Sequence, residues 1–249
     1  MKILAPEPIR TKPRAILFDL DDTLYGYERP HRRAMDAVRE KVRRTLSVEP
    51  GPFDEAFLTA RAEVKKQLGE TASSHNRLLY FQRTIELLGL SSQPAIALDL
   101  EQTYWRTLLT NARLFPAAEE TLIELRAAGL PLALVTDLTA QIQFRKLVYF
   151  GIDRYFDAVV TSEEAGVDKI GLKPFNLALA KLGLGPNDPV WFIGDSEADV
   201  VASKRALNAA TFQKMPDGSP SWRVHEGVDA TFHSFAEFRD WCRSVITAG

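Results

Sequence analysis

The fold class this sequence predicts is α/β: a parallel sheet with an inserted α-helical subdomain. Three observations predict it. First, short apolar runs over residues 15–18, 132–135 and 190–193 each stop at polar residues, Asp19, Thr136 and Gly194-Asp195. Unbroken apolar runs of this length are the pattern of strands covered on both faces. Second, helical patterns lie between the later runs. Residues 121–128 close at Gly129, 141–150 close at Gly151, and 175–182 open after Pro174 and close at Gly183. Proline at the start and glycine after the end is how helices are punctuated. Third, residues 25–115 carry almost no strand alternation. They read as four helices near 30–46, 53–68, 76–88 and 96–110, broken at Glu49-Pro50-Gly51-Pro52, 69–74 and 89–94.

Taken in chain order, the first strand feeds directly into the helical insertion, and alternating helix and strand resume after it. The expected division is therefore 1–24 with 116–249 as the sheet-bearing core and 25–115 as the insertion. Residues 216–220 read as a loop, followed by a last strand and helix over 230–245. In open sheets of this kind ligands sit beyond the carboxyl ends of the strands, where Asp19, Thr136 and Asp195 collect.

Composition narrows the partners. The 249 residues include 45% hydrophobic and 26% charged side chains, enough apolar surface for a buried core and too much for a disordered chain. With 31 basic and 33 acidic residues the net charge is −2, so there is no polycation to grip nucleic acid. The insertion holds 14 Lys/Arg against 11 Asp/Glu, an excess that solvated helix faces account for as well as a ligand would. Cys242 is the only cysteine, which excludes an internal disulfide and fits a reducing compartment. The longest apolar stretch, 127–135, falls far short of the ~18 residues of a membrane span. The N-terminal MKILAPEPIR has no apolar signal core, so a cytoplasmic protein without a membrane or nucleic-acid partner is expected.

The chemistry begins with Phe18-Asp19-Leu20-Asp21-Asp22-Thr23. In extended backbone, residues two apart project to the same side, so Asp19 and Asp21 can face one substrate. One carboxylate can act as nucleophile and the other as general acid and base, with a hard cation such as Mg²⁺ relieving their repulsion. A turn of Asp and Thr that merely caps a helix has the same composition. At another strand end, Gly194-Asp195-Ser196-Glu197-Ala198-Asp199 adds oxygen ligands, although Asp199 also suits a helix cap. Thr136 offers a hydroxyl to phosphate oxygens at the third strand end.

Together these motifs resemble the haloacid dehalogenase-like superfamily, specifically its phosphatases with a helical cap inserted after the first strand. The resemblance runs from Arg14 to about Asp240 and includes, in order, FDLDDTL, the apolar run ending at Thr136, a lysine before a helix, and GDSEAD. It implies a Rossmann-like core, Mg²⁺ and phosphoryl transfer through an aspartyl-phosphate. By carry-over Asp19 is nucleophile and metal ligand, Asp21 is acid/base and ligates through its backbone carbonyl, and Asp195 is a further ligand. Asp199 then acts from behind the ligands. Two lysines compete for the catalytic place. Uninterrupted register favours Lys169, while the family's usual Lys-Pro pairing points to Lys173.

Two positions depart from the family pattern. Asp137, a candidate substrate contact beside Thr136, stands where relatives often carry Asn or another uncharged residue, and its charge would repel phosphate unless it turned away to cap the following helix. Asn208 replaces a common Gly and is expected in a left-handed conformation. In the insertion, Ser73-Ser74-His75-Asn76-Arg77 offers His75 and Arg77 as contacts to a leaving group, against a plainer reading in which Ser74 caps the helix and Arg77 is solvated. The expected function is hydrolysis of a small phosphorylated metabolite of the sugar-phosphate or nucleotide class. A phosphomutase, a dehalogenase and a non-catalytic phosphate-sensing module are the alternatives.

Overall fold

The structure, a computed structural model, describes residues 1–216 and 223–246. The chain separates into two compact units, Met1–Gly26 with Arg113–Gly249, and Tyr27–Ala112. The insertion is shorter at both ends than 25–115 because Tyr25 and Leu114 pair with each other across an isolated antiparallel bridge. The amide of Phe115 also donates to the Leu24 carbonyl.

The sheet-bearing unit opens with β1 (Lys2–Ile3), α1 (Pro6–Arg10) and β2 (Ala15–Phe18). The helical unit supplies α2 (Glu28–Leu46), α3 (Pro50–Leu68), α4 (Arg77–Leu87) and α5 (Pro94–Asn111). The sheet-bearing unit then resumes with α6 (Ala118–Ala127), β3 (Leu132–Thr136), α7 (Ala140–Phe150), β4 (Ala158–Thr161), α8 (Ser162–Ala165), α9 (Lys173–Lys181) and β5 (Val190–Gly194). It ends with α10 (Glu197–Ala206), β6 (Ala209–Lys214), β7 (Ala230–Phe232) and α11 (Phe235–Ile246). Three strands, β1, β4 and β6, go beyond the sequence expectation. Ala209–Lys214 carries Thr, Gln and Lys, and the polarity that hid this strand is fully buried in the fold. From residue 217 the loop expected over 216–220 lies outside the described residues.

Strand order is β1-β7-β6-β5-β2-β3-β4, parallel throughout except for β1 against β7. Alternate residues of the apolar runs face opposite layers. Leu17, Val135 and Phe192 join Phe175 and Leu179 of α9 in one core. Trp191 and Phe212 stack on the other side against Phe238 and Trp241 of α11. Covering both faces is what makes the strands read as unbroken hydrophobic runs. From β2 the chain runs first to β3 and β4 and then returns to β5 on the other flank. The order thus reverses beside β2, the place where such sheets bind ligands.

The helical unit has its own aromatic core, in which Phe57 meets Phe53, Tyr80 and Phe81 with centroids 5.6–6.1 Å apart. Asn76, not Ser74, caps α4, its side chain accepting from the Leu78 amide at 2.9 Å. Asn208 is not left-handed either: α10 ends at Leu207 in an extended conformation, and the Asn208 side chain donates to the Asn187 carbonyl. Among the described residues no helix is long and apolar enough to cross a membrane.

Candidate active site

Asp19 leaves the carboxyl end of β2 with its amide bonded to the Ile193 carbonyl of β5, which fixes it at the reversal in strand order. Its carboxylate is 4% exposed. Lys169 Nζ lies 2.6 Å from Asp19 Oδ1, while Thr23 Oγ1 lies 3.0 Å from Asp19 Oδ2 and 3.2 Å from Asp195 Oδ1. Lys169 Nζ also stands 2.5 Å from Asp199 Oδ1.

Asp199 is held twice. Ser196 and Asp199 form a reciprocal capping box at the start of α10, with Ser196 Oγ donating to Asp199 Oδ2 at 2.8 Å. Gly194 makes this approach possible, since a Cβ there would fall 2.9 Å from Asp199 Cβ and 2.8 Å from the Phe192 ring. The sequence offered a helix cap for Asp199, and the fold uses that cap and adds the ion pair with Lys169.

Asp21 has a separate set of partners. Lys146 Nζ, from the buried face of α7, meets its two carboxylate oxygens at 2.6 and 2.8 Å. Tyr25 donates its hydroxyl to Oδ1, and Gln143 Nε2 reaches Oδ2 at 3.2 Å. The same Gln143 amide donates to Thr136 Oγ1 at 2.7 Å and to the Asp137 carbonyl at 2.6 Å, tying the end of β3 to Asp21. Gln143, Lys146 and Tyr25 were not singled out in the sequence, and Thr23 entered only as part of the turn of Asp and Thr. A signal existed, for Gln143 and Lys146 share the buried stripe of α7 with Ile142 and Leu147. Polar residues on an apolar helical stripe need partners, and here those are site residues.

Asp137 does not cap α7. Its Oδ1 accepts from the Lys169 amide at 2.9 Å, the residue at the helix N-cap is Thr139, and the Ala140 amide is taken by Glu163. A carboxylate that would repel phosphate is thereby spent holding the lysine loop. Lys173 opens α9 exposed to solvent, its ammonium beside Gly166, while Lys169 alone of the two reaches Asp19. His75 and Arg77 lie in the helical unit, where Arg77 is half-buried rather than solvated.

The charges follow from this packing. Burial, assisted by Asp199 and Asp21 and opposed by Lys169, pushes the Asp19 carboxyl up to about 7. Burial together with the charges of Asp19, Asp199 and Asp22 pushes Asp195 up to about 9. Burial disfavours the Lys169 ammonium, but Asp19, Asp199 and Asp137 outweigh it and hold the group well above the usual lysine range. Asp21 goes the other way: burial raises it, and Lys146 with the other donors brings it below the ordinary carboxylate value.

One ammonium thus faces four carboxylates, Asp19, Asp137, Asp195 and Asp199. Asp19, Asp195 and Asp199 each present an oxygen within 4.8 Å of the others. Asp199 Oδ1 is buried without a well-aligned hydrogen bond. Negative charge in excess of the one ammonium and a set of hard oxygen donors fit a divalent cation.

Comparison with known proteins agrees with this geometry. The family model described as haloacid dehalogenase-like hydrolase matches residues 13–206. The ribulose-1,5-bisphosphate 5-phosphatase of Halopiger xanaduensis is 40% identical over 190 residues, covering 76% of this chain and 80% of that protein. The glyceraldehyde 3-phosphate phosphatase of Methanocaldococcus jannaschii is 29% identical over 93% of this chain and 98% of its own. A HAD phosphatase structure from Thermococcus onnurineus superposes with a TM-score of 0.69 at 24% identity, covering 91% of this chain and 96% of that one. A strand order that reverses beside β2, buried aspartates at two strand ends and these matches lead to one conclusion: the chain belongs to the haloacid dehalogenase-like hydrolases, on their phosphatase side.

Proposed function

We propose that the protein is a Mg²⁺-dependent phosphatase that hydrolyses a small phosphorylated metabolite through an aspartyl-phosphate on Asp19. Within the sugar-phosphate and nucleotide classes, sugar phosphates are the better fit. The observation that carries this reading is that two carboxylates two residues apart are held by different lysines, Asp19 by Lys169 and Asp21 by Lys146. A nucleophile and an acid/base need such separate environments. The names of the curated relatives support the substrate class, since they describe phosphatases of ribulose 1,5-bisphosphate, glyceraldehyde 3-phosphate and phosphoglycolate.

Asp19 and Asp195, with the Asp21 backbone carbonyl, would hold Mg²⁺, and Asp199 would stand behind them. When bound, the ion supplies positive charge to the phosphoryl oxygens and to the crowded carboxylates. The Asp19 oxygen attacks phosphorus and the bond to the ester oxygen breaks, while Asp21, a carboxylate beside Lys146 in the metal-free fold, takes up a proton on substrate binding and gives it to the departing alkoxide. Asp21, now a carboxylate, takes a proton from the water that attacks the aspartyl-phosphate, and inorganic phosphate leaves while Asp19 is restored. Lys169 keeps Asp19 oriented and offsets charge on the phosphoryl group, and Thr136 donates its hydroxyl to a phosphoryl oxygen.

Phosphate release from a panel of sugar phosphates and nucleotides with Mg²⁺ tests this. Activity is expected to vanish in Asp19→Asn and in chelator. Retention of most activity in either would overturn the mechanism.

A further inference from the structure

Gln143 is a wholly buried neutral side chain among charged ones, and the chemistry assigned to the aspartates and lysines gives it no part. It belongs to the first turn of α7, where its backbone amide donates to the carbonyl of the N-cap residue Thr139 at 3.1 Å. Its Nε2 is surrounded by three acceptors: Thr136 Oγ1 at 2.7 Å, the Asp137 carbonyl at 2.6 Å and Asp21 Oδ2 at 3.2 Å. Two of these, a carbonyl and an ionised carboxylate, can only accept. The amide therefore cannot be turned over without setting oxygen against oxygen. Its orientation carries a cost, because Oε1 is buried with no hydrogen-bond partner. Lys146, three residues on along the same buried face, brings Asp21 its positive charge, so Gln143 supplies donors without adding charge.

The direction of these bonds fixes the direction of another. Thr136 Oγ1 accepts from Gln143, so its own proton has to point elsewhere, and among the described residues no acceptor takes it. The hydroxyl is buried at the carboxyl end of β3, beside the strand that ends in Asp19. A buried hydroxyl whose oxygen is bonded and whose proton is unspent is a donor held ready for a ligand oxygen. The next peptide is gripped as well. The Asp137 carbonyl accepts from Gln143, and the Leu138 amide donates to Ser162 Oγ at 2.9 Å. Both sides of the Asp137–Leu138 peptide are thus held by side chains, and Leu138 is kept at φ 113°, where L residues are rarely found. Strain of this kind persists only where the surroundings impose it, and Gln143 is one of the two groups that do so here.

We propose that Gln143 is a positioning residue for the phosphoryl group. By donating to Thr136 it locks that hydroxyl as a donor to a phosphoryl oxygen, and with the same amide it holds the turn that follows. The inference rests on the phosphatase reading for the identity of the ligand, inorganic phosphate being the product of that reaction.

The test is calorimetric titration of the full-length chain with inorganic phosphate in Mg²⁺, applied to Gln143→Met, Thr136→Val and the double variant. Each single substitution should weaken binding roughly tenfold, the scale of one lost charge-assisted contact. The double variant should bind within about twofold of Thr136→Val, since without the hydroxyl the amide has nothing to orient. In a Thr136→Ser background, which restores a hydroxyl, Gln143→Met should again cost roughly tenfold. A merely structural glutamine would cost the same in every background. Losses that multiply in the double variant, a folded Gln143→Met that binds like the parent, or a parent that binds no phosphate would each overturn the positioning. If Gln143→Met does not fold, Gln143→Glu takes its place in the same cycle. It keeps the size and reverses the bond, drawing the Thr136 proton to itself, and the same outcomes decide. Hydrolysis of p-nitrophenyl phosphate is scored separately on the parent chain. Coupled binding losses in a chain that hydrolyses no ester would sink the phosphatase reading and leave the positioning standing, while multiplying losses in an active chain would do the reverse.

Discussion

Lys146 and Asp21 are 125 residues apart in the chain, yet the buried ammonium of one meets both carboxylate oxygens of the other. On the proposed mechanism, removing that ammonium should mislay Asp21 as acid/base while sparing Asp19 as nucleophile. Lys146→Met is expected to lower kcat at least about tenfold for an alkyl phosphate, the equivalent of ~1.4 kcal/mol. It should cost much less for p-nitrophenyl phosphate, whose leaving group needs no proton. Steady-state kinetics on the two esters check this, and equal losses would assign Lys146 to folding alone.

The two lysines that compete in sequence separate cleanly in space. Lys169→Met strips the counter-charge from Asp19 and Asp199 and should reduce kcat by roughly tenfold or more, the scale of one lost charge-assisted contact. Lys173→Met, at an exposed helix start, should leave kcat within about twofold. A reversed ranking would transfer the catalytic place to Lys173.

Asp19 and Asp195, raised to about 7 and about 9, make the metal-free protein pH-sensitive in a definite direction. Their folded values exceed the unfolded value of about 3.9, so the native state binds more protons and stability falls as pH rises through that window. Thermal melts in chelator should therefore show Tm declining from about pH 5 to pH 9. Mg²⁺ should remove most of the decline by replacing the protons. A chelated protein whose Tm rises over this range would contradict the crowding of carboxylates described above.

Gly194 is tested by adding one methyl group. Gly194→Ala places a Cβ against Asp199 and Phe192 at distances that real Cβ atoms do not tolerate. Overpacking of this kind costs about 1–3 kcal/mol, so Tm should drop by several degrees and kcat should fall as Asp199 is displaced from Lys169. Differential scanning calorimetry and phosphate release give the two readouts.

How much of this was legible in the sequence depended on whether a residue's role is local. The runs ending in Asp19, Thr136 and Asp195 marked three strands and their chemistry, because a strand end and its side chain are neighbours in the chain. The polar strand Ala209–Lys214 was not legible, since its Gln213 is satisfied by distant backbone, the carbonyls of Asp195 and Arg223 and the amide of His225. The direction of Asp137 was missed for the same reason. Local rules offered it a helix to cap, and the fold offered it the amide of Lys169, 32 residues on. Register over unbroken helices placed Lys169 ahead of Lys173, whereas the proline after Lys173 only starts α9.

The bridge between Tyr25 and Leu114, with the bond from the Phe115 amide to the Leu24 carbonyl, lets the sheet-bearing unit close its own chain before the insertion begins. Everything between those two points is, in covalent terms, a loop tied off at its neck. A loop so tied can be lengthened, shortened or exchanged for a different helical module without rethreading the sheet or moving Asp19 and Asp21. Such a chain can exchange one removable part while the sheet and its strand-end aspartates are inherited intact.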